Sequence, residues 1–164
     1  MTDPQRRPSP HPSLAGREID MAALADVVRR LVTNGTVVVA AGGGGIPVVR
    51  KGGKLVGVEA VIDKDLAAAV LARGLGWTHL VIASDVPQVA VDFGTPSQRF
   101  LDRLPVAEAK KFLAKGQFPP GNMGPKIEAA ISFLERGGER AVVTDLDHLL
   151  PAVEGKAGTA ISKA

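Results

Sequence analysis

The sequence contains no cysteine and no tyrosine, and aromatic residues make up only 4% of its 164 positions. Without cysteine, disulfide bonds and thiolate metal sites are excluded. The scarcity of aromatic rings argues against a stacking surface for single-stranded nucleic acid. The net charge of +3 is carried by dispersed basic residues. It indicates a mild preference for small anions and not a surface that binds nucleic acid.

Long apolar runs are also missing, since none reaches the roughly 18 to 20 residues that would cross a membrane. The first 16 residues lack the apolar segment of a secretory signal. We therefore expect a cytoplasmic protein with one folded domain. Proline is frequent in residues 1–16, which predicts an irregular N-terminal arm before a folded lobe at residues 17–164.

Helical and strand-like segments alternate along this lobe. Helices are predicted at residues 19–32, 64–75, 105–115, 125–136 and 146–153. Short strands are predicted at residues 36–41, 78–83, 89–91, 140–144 and 159–162, with a hairpin at residues 46–58. The alternation predicts an α/β fold with helices on both faces of a largely parallel sheet. Ligands of such sheets gather at the carboxyl ends of the strands.

Four consecutive glycines follow the strand predicted at residues 36–41, namely Gly42, Gly43, Gly44 and Gly45. Backbone N–H groups without side chains in the way can hold a phosphate or another anion. A flexible turn is the commoner explanation of such a run. The pattern is not a dinucleotide-binding fingerprint, because the glycines lead into a probable hairpin and not into a helix. A P-loop is excluded too, because no glycine pair is followed by Lys-Ser or Lys-Thr.

Lysines stand at the starts of two predicted helices, where the positive end of the helix favours acidic residues. Lys64 lies between Asp63 and Asp65, and Lys126 follows Pro125, which suits a first helical position. In the simplest interpretation Asp63 caps its helix and Lys64 is solvated. In the alternative interpretation, a phosphate group binds at the helix start, where the lysine and the positive end of the helix both attract it. Asp65 then orients the lysine or bridges to a metal ion.

A tetraglycine loop and two lysines at helix starts together fit phosphoryl transfer, which is mostly positioning and charge neutralisation. Other chemistry has weaker support. His11, His79 and His148 are far apart and lack a metal-binding spacing. Serine nucleophiles lack their usual glycine context. Asp145 and Asp147 are interpreted as caps of the helix predicted at residue 146.

Four strings, in this order and spacing, resemble the carbamate kinases of the amino-acid-kinase superfamily: GGGGIPVV, GVEAVIDKDLAA, FGTPSQ and GQFPPGNMGPKIEAAISFLERGG. The resemblance extends over residues 6–161 but covers only the C-terminal, nucleotide-binding half of those longer proteins. It implies a three-layer α/β/α sandwich around a mainly parallel sheet, truncated here. It also implies reversible phosphoryl transfer between carbamoyl phosphate and Mg-ADP, giving ATP and carbamate.

The resemblance implies catalytic roles for Lys64, Asp65 and Lys126. The lysines are expected to contact the transferring phosphoryl group and the nucleotide phosphates, and Asp65 is expected to hold them. The four glycines are expected near the phosphoryl or carbamate end. The residues implied to border the nucleotide are Ser84, Asp85, Val86, Phe93, Met123 and Gly124. Ser84 and Asn122 depart from the family pattern, in which Thr and Ser are usual at these positions. The implied cofactors are ATP or ADP with Mg²⁺, and no metal-ligating residue is assigned.

The expected partners are the small molecules carbamate and carbamoyl phosphate, and neither nucleic acid nor a membrane. An apolar strand edge invites pairing with another chain. A homo-oligomer and a complementing N-terminal half are both compatible with that edge. Two other functions stay open. One is an inactive or split-enzyme fragment that binds nucleotide, and the other is a sister amino-acid kinase that acts on another carboxylate.

Overall fold

The computed structural model describes residues 22–163, so the predicted N-terminal arm and the first residues of the first predicted helix lie outside it. In this range the helices are Ala22–Thr33 (α1), Lys64–Leu75 (α2), Val106–Ala114 (α3), Met123–Glu135 (α4) and Leu149–Val153 (α5). The strands are Val48–Lys51 (β1), Lys54–Gly57 (β2), His79–Ser84 (β3), Ala90–Val91 (β4), Arg99–Phe100 (β5), Arg103–Pro105 (β6), Arg140–Asp145 (β7) and Thr159–Ser162 (β8).

Four strands form the main sheet, in the order β3-β7-β8-β6. β3 runs parallel to β7 and β6 runs parallel to β8, whereas β7 and β8 are antiparallel. Two antiparallel hairpins, β1–β2 and β4–β5, lie outside this sheet. The sheet is mixed but mostly parallel, which confirms the predicted α/β architecture.

One face of the main sheet builds the hydrophobic core. Ala141 and Val143 alternate along β7 toward this face, and both are fully buried. Leu104 of β6 and Ile161 of β8 are buried beside them. α4 packs on β7, and α2 and α3 pack in turn on α4. This layer of helices places the starts of α2 and α4 next to each other.

The opposite face of the sheet carries α5. Arg140 and Val142 alternate toward this face, and the Arg140 guanidinium approaches the Ala152 carbonyl oxygen of α5 at 3.5 Å. α5 also packs on β3 and β7. Helices therefore cover both faces, and the predicted three-layer arrangement is confirmed.

The strand predicted at residues 36–41 is absent, and this prediction was wrong. The side chains of Val37 and Val39 are 92% and 97% exposed instead of buried. No backbone hydrogen bond among the described residues joins residues 37–40 to a strand. An apolar run becomes a strand only when a neighbour satisfies its backbone groups. The local pattern carried no information on whether that neighbour is present.

Two helix starts also differ from their predictions. α4 begins at Met123, so Pro125 is its third residue and not its first, although Lys126 still lies in the first turn. α5 begins at Leu149 and not at residue 146. The Asp145 Oδ1 accepts the backbone N–H of His148 at 3.0 Å, which holds the preceding residues in a turn. The strands β5 and β6 went unpredicted, because two or three residues show no alternation.

Candidate functional site

α2 begins at the D-K-D string with a conventional cap. Asp63 has an extended backbone, and its Oδ1 accepts the backbone N–H groups of Asp65 at 2.8 Å and Leu66 at 3.1 Å. This N-cap satisfies two donors that the helix leaves unpaired. The interpretation of Asp63 as a cap is therefore confirmed. The side chains of Lys64 and Asp65 make other contacts.

Asp65 joins the two helix-start lysines. Its Oδ2 accepts from the Lys64 Nζ at 3.1 Å and from the Lys126 Nζ at 3.0 Å. The side chain of Lys126 is 8% exposed and that of Asp65 is 13% exposed, whereas Lys64 is 58% exposed. A nearly buried ammonium needs a counter-charge, and Asp65 supplies it to Lys126. The structure thus brings Lys64, Asp65 and Lys126 together, with Lys64 facing solvent.

Two opposing effects act on the pKa of Lys64. Partial burial disfavours the ammonium and acts to lower the pKa. The hydrogen bond and charge of Asp65, together with the charge of Asp63, favour the ammonium and outweigh burial. The pKa of Lys64 therefore lies above its usual value of 10.5. The side chain stays cationic at neutral pH and keeps its attraction for an anion.

The glycine run lies against the start of α2. Gly44 is buried, and a Cβ at this position would overlap the carbonyl oxygen of Ile62, one residue before the Asp63 cap. Its φ of +128° is one that residues with side chains rarely adopt. Gly42, Gly43 and Gly45 are exposed. Glycine at position 44 therefore lets this loop lie beside the helix start that carries Lys64.

A cavity of about 140 Å³ opens just past the carboxyl end of β3. Asp85, Val86, Phe93 and Met123 line it, and all four were predicted to border a nucleotide. Met123 is the first residue of α4, and Lys126 follows one turn later on the same side of the helix. Met123 of the cavity and Lys126 of the lysine pair thus belong to the same first turn of α4.

Ser84 and Gly124, also predicted at the nucleotide, do not line this cavity. The Ser84 hydroxyl donates to the Asp85 Oδ1 at 3.1 Å, so it contacts a residue that does. Gly124 is buried in its own turn, where its N–H donates to the Pro119 carbonyl oxygen at 3.1 Å. Asn122, the departure from the family pattern, lines the cavity directly.

Some lining residues were missed by sequence reasoning, and they are Gln88, Ala90, Gln117, Phe118 and Pro119. The Gln117 side chain joins its own loop to the loop that contains Asp92. Its Oε1 accepts the Asp92 backbone N–H at 2.6 Å, and its Nε2 donates to the Asp92 Oδ1 at 2.8 Å. The string GQFPPG signalled a loop, but its composition did not show which side chains turn inward. No sequence signal pointed to Gln88.

Residues 22–163 lack two other kinds of site. They contain no group of three or more His, Asp or Glu side chains placed to hold a metal ion. None of the helices in this range is long and apolar enough to cross a membrane. The geometry that this part of the chain does present is an anion-attracting lysine pair beside a small, partly apolar cavity.

Known proteins share this arrangement of elements. Residues 11–145 match the Amino acid kinase family. The carbamate kinase of Thermococcus kodakarensis is 47% identical over 137 residues, covering 84% of this chain and 44% of that protein. A carbamate kinase-like protein of Escherichia coli is 46% identical over 85% of this chain, again covering 44% of the relative. These matches confirm the resemblance to carbamate kinases.

A solved structure supports the same relationship. The carbamate kinase from Giardia lamblia bound to AMP-PNP superposes with a TM-score of 0.81 at 36% identity. The superposition covers 90% of this chain and 46% of that one. The chain thus spans less than half the length of the relatives that it matches.

Proposed function

The chain belongs to the amino acid kinase family, and we propose that it is the nucleotide-binding half of a phosphotransferase of carbamate kinase type. One observation carries this proposal. The Asp65 Oδ2 binds Lys64 and Lys126 together, although Asp65 and Lys126 are 61 residues apart in the sequence. Two cations at adjoining helix starts form a site for phosphate oxygens.

The proposed reaction is reversible transfer between carbamoyl phosphate and Mg-ADP. An oxygen of the ADP β-phosphate attacks phosphorus, the bond from phosphorus to the carbamate oxygen breaks, and carbamate leaves with the electron pair. Negative charge spreads over the three equatorial oxygens during transfer. Positioned ammonium groups stabilise that charge, and a lysine suits the task as a compact, mobile cation.

The two lysines take different parts in this proposal. Lys126 is nearly buried and fixed by Asp65, which suits it to hold the nucleotide phosphates. Lys64 is mostly exposed, so its ammonium can leave Asp65 and follow the transferring group. Gly42, Gly43 and Gly45 are exposed beside Gly44, which approaches Ile62 just before α2, and we assign them to the phosphoryl or carbamate end. Asp65 keeps both ammonium groups at one point.

The nucleotide is assigned to the cavity past β3. Val86, Phe93 and Met123 offer it apolar contacts, and Asn122 and Gln88 offer hydrogen bonds. The Giardia lamblia relative, whose structure is bound to AMP-PNP, supports a nucleotide as the ligand. Ser84 and Gly124 are proposed to act through lining residues, since Ser84 donates to Asp85 and Gly124 donates to Pro119.

Mg²⁺ is assigned to the nucleotide phosphates and not to a site formed by protein carboxylates. The carboxylates at this helix start are already used, because Asp65 binds two lysines and Asp63 caps α2. The ion keeps several waters and is often carried by substrate phosphates, whose charge it neutralises. It therefore enters as part of the Mg-ADP substrate.

Two other functions follow from particular observations. The partly apolar cavity past β3 by itself supports one of them, a nucleotide-binding component without turnover, which Mg-ADP binding in the absence of ATP formation would identify. The name of the Escherichia coli relative, which is only carbamate kinase-like, favours a test of other carboxylates as acceptors. A panel of acyl phosphates in the ADP phosphorylation assay separates the second function from the first.

Calorimetric titration of the chain with Mg-ADP tests the nucleotide assignment. We expect saturable binding that Lys126→Met weakens, because the variant keeps the apolar stem and removes the ammonium. Lys156→Met is the matched control, since Lys156 is an exposed lysine paired with Glu154 at 2.8 Å. An absence of Mg-ADP binding, or equal weakening by both substitutions, would contradict the assignment.

A further inference from the structure

The loop that joins β4 to β5, residues 92–98, is held together by its own hydrogen bonds, and we call it the 92–98 loop. The Thr95 hydroxyl and backbone N–H both donate to the Asp92 carbonyl oxygen, at 2.7 and 3.1 Å. The Gly94 N–H donates to the Gln98 Oε1 at 2.9 Å. The Gln98 N–H donates in turn to the Thr95 carbonyl oxygen at 3.1 Å. Because these bonds connect both ends of the loop, its orientation is set at its base.

Asp92, the first residue of this loop, has an unusual backbone conformation. Its φ is +52°, in the left-handed region that residues with a Cβ rarely adopt, although aspartate tolerates it better than most. A conformation of this kind persists where neighbouring contacts hold it. Phe93 follows directly, and its ring lines the cavity past β3 while remaining 61% exposed. The backbone of Asp92 therefore determines where the Phe93 ring lies.

Gln117 supplies the contacts that hold Asp92. Its Oε1 accepts the Asp92 backbone N–H at 2.6 Å, and its Nε2 donates to the Asp92 Oδ1 at 2.8 Å. Within residues 22–163, no other side chain from outside the 92–98 loop forms a hydrogen bond with it. Gln117 is itself fixed, because its N–H donates to the Phe112 carbonyl oxygen at the end of α3 at 3.0 Å. The amide thus ties the loop to the connection between α3 and α4.

The chemistry of the amide suits this contact. A glutamine side chain carries one acceptor oxygen and one donor nitrogen, and Asp92 presents a backbone donor and a carboxylate acceptor to them. A glutamate at position 117 would keep the acceptor but lose the donor, and it would place a second carboxylate against that of Asp92. Gln117 is also half-buried and lines the cavity. The contact between the two loops therefore lies at the wall of the cavity.

We propose that Gln117 is a positioning residue for nucleotide binding. It holds Asp92 in the left-handed conformation and so keeps the Phe93 ring at the cavity, where the ring packs on the nucleotide base. This inference rests on the proposed function, in which the cavity past β3 binds Mg-ADP. Gln117 acts through Phe93 and not on the transferring phosphoryl group. Its substitution should therefore change nucleotide affinity.

Calorimetric titration with Mg-ADP tests whether Gln117 acts through Phe93. Gln117→Met removes both hydrogen bonds without adding charge, and it should weaken binding by about tenfold, a loss typical of one base–aromatic contact. Phe93→Ala should cause a loss of similar size. The double variant Gln117→Met/Phe93→Ala should bind no more weakly than Phe93→Ala, because both substitutions remove the same contact.

Exchanging the donor and the acceptor tests the hydrogen bond itself. Gln117→Glu should weaken Mg-ADP binding by about tenfold or more. Gln117→Glu/Asp92→Asn should restore the parent affinity within about twofold, because the introduced asparagine donates to the introduced glutamate and the net charge is that of the parent. Asparagine also tolerates the left-handed backbone.

A matched control separates the added charge from the lost bond. Gln98→Glu adds the same negative charge to the 92–98 loop and keeps the oxygen that accepts the Gly94 N–H. Its Mg-ADP affinity should stay within about twofold of the parent value. Circular dichroism of each variant confirms that it is folded before titration.

Several results would overturn this inference. They are parent-like affinity in Gln117→Met, additive losses for Gln117→Met and Phe93→Ala, and a folded exchange variant that binds as weakly as Gln117→Glu. Failure of the proposed function gives other results. Mg-ADP binding that follows these expectations without ATP formation upholds the positioning role and contradicts the reaction. ATP formation by a parent chain whose Gln117 variants all bind equally well upholds the reaction and contradicts the positioning role. Absence of Mg-ADP binding by the parent chain contradicts both.

Discussion

Lys126 of α4 and Asp65 of α2 form an ion pair with 3.0 Å between Nζ and Oδ2, and both side chains are nearly buried. The pair joins the first turns of two helices that pack against each other. Removing such a charged pair from water costs desolvation free energy. The pair is retained where its attraction and its hydrogen bonds offset that cost. The proposed binding of phosphate oxygens at this site gives a reason to keep an ammonium there.

Asp65→Asn should destabilise the fold clearly, because it leaves the Lys126 ammonium nearly buried without its counter-charge. We expect a loss of roughly 2–4 kcal/mol in the free energy of unfolding. Urea titration followed by circular dichroism measures it. The control is Glu154→Gln, which breaks the exposed Lys156 pair and should cost about 1 kcal/mol or less. Equal costs for the two variants would show that Lys126 does not depend on Asp65.

The contribution of Lys64 to stability should depend on pH at the alkaline end. Its pKa is raised in the folded state, so its ion pair stabilises the fold below about pH 10.5 and is lost as the pH rises through the folded value. Because the side chain is largely exposed, Lys64→Met should cost about 1 kcal/mol or less at neutral pH. The difference from the parent chain should shrink toward zero above the folded pKa. A difference that grows with pH would contradict the raised pKa.

Gly44→Ala should disrupt the loop beside α2, since the added Cβ would overlap the Ile62 carbonyl oxygen and the backbone has a positive φ. We expect a cost of about 1–3 kcal/mol in the free energy of unfolding. Gly43→Ala is the matched control, because a Cβ there meets nothing within 4 Å. Thermal melts of the two variants compare them. A Gly44 variant as stable as the Gly43 variant would disprove this close approach.

Substitutions of the two lysines should differ in their effect on nucleotide affinity. Lys126→Met should lower Mg-ADP affinity by about ten- to a hundredfold, the loss expected when a charged hydrogen bond to phosphate is removed. Lys64→Met should change it by only a few-fold, because Lys64 is proposed to follow the transferred group. Calorimetry measures both, and Lys156→Met should bind as the parent does. Equal losses at Lys64 and Lys126 would refute this division of roles.

The sequence predicted those parts of the fold and site whose signals are local. Asp63 with the apolar positions after it predicted the start of α2, and β8 was placed at its observed residues. Lys64 and Lys126 were singled out because each opposes the charge preference of a helix start. The resemblance to carbamate kinases then paired them through Asp65, and the 3.0 Å contact between Lys126 and Asp65 agrees with it.

Other features depend on contacts between distant residues, and the sequence did not show them. Residues 36–41 have the composition of a buried strand, yet pairing needs a neighbour that no local pattern reports. Gln117 lines the cavity past β3, where it hydrogen-bonds Asp92, 25 residues away. The earlier start of α4 at Met123 likewise reflects the Gly124 N–H bond to Pro119 and not a propensity.

The central claim is that Lys64 and Lys126, held by Asp65, neutralise a transferring phosphoryl group. Its most direct test is the rate of ATP formation from carbamoyl phosphate and Mg-ADP by the chain, measured alone and after mixing with the part of the Thermococcus kodakarensis carbamate kinase that precedes the matched region. We expect turnover that Lys64→Met reduces by about a hundredfold or more, which is the loss typical of removing one group that stabilises transition-state charge. The control Lys156→Met should leave the turnover rate unchanged. Turnover by the Lys64→Met variant at the rate of the parent chain would contradict the claim.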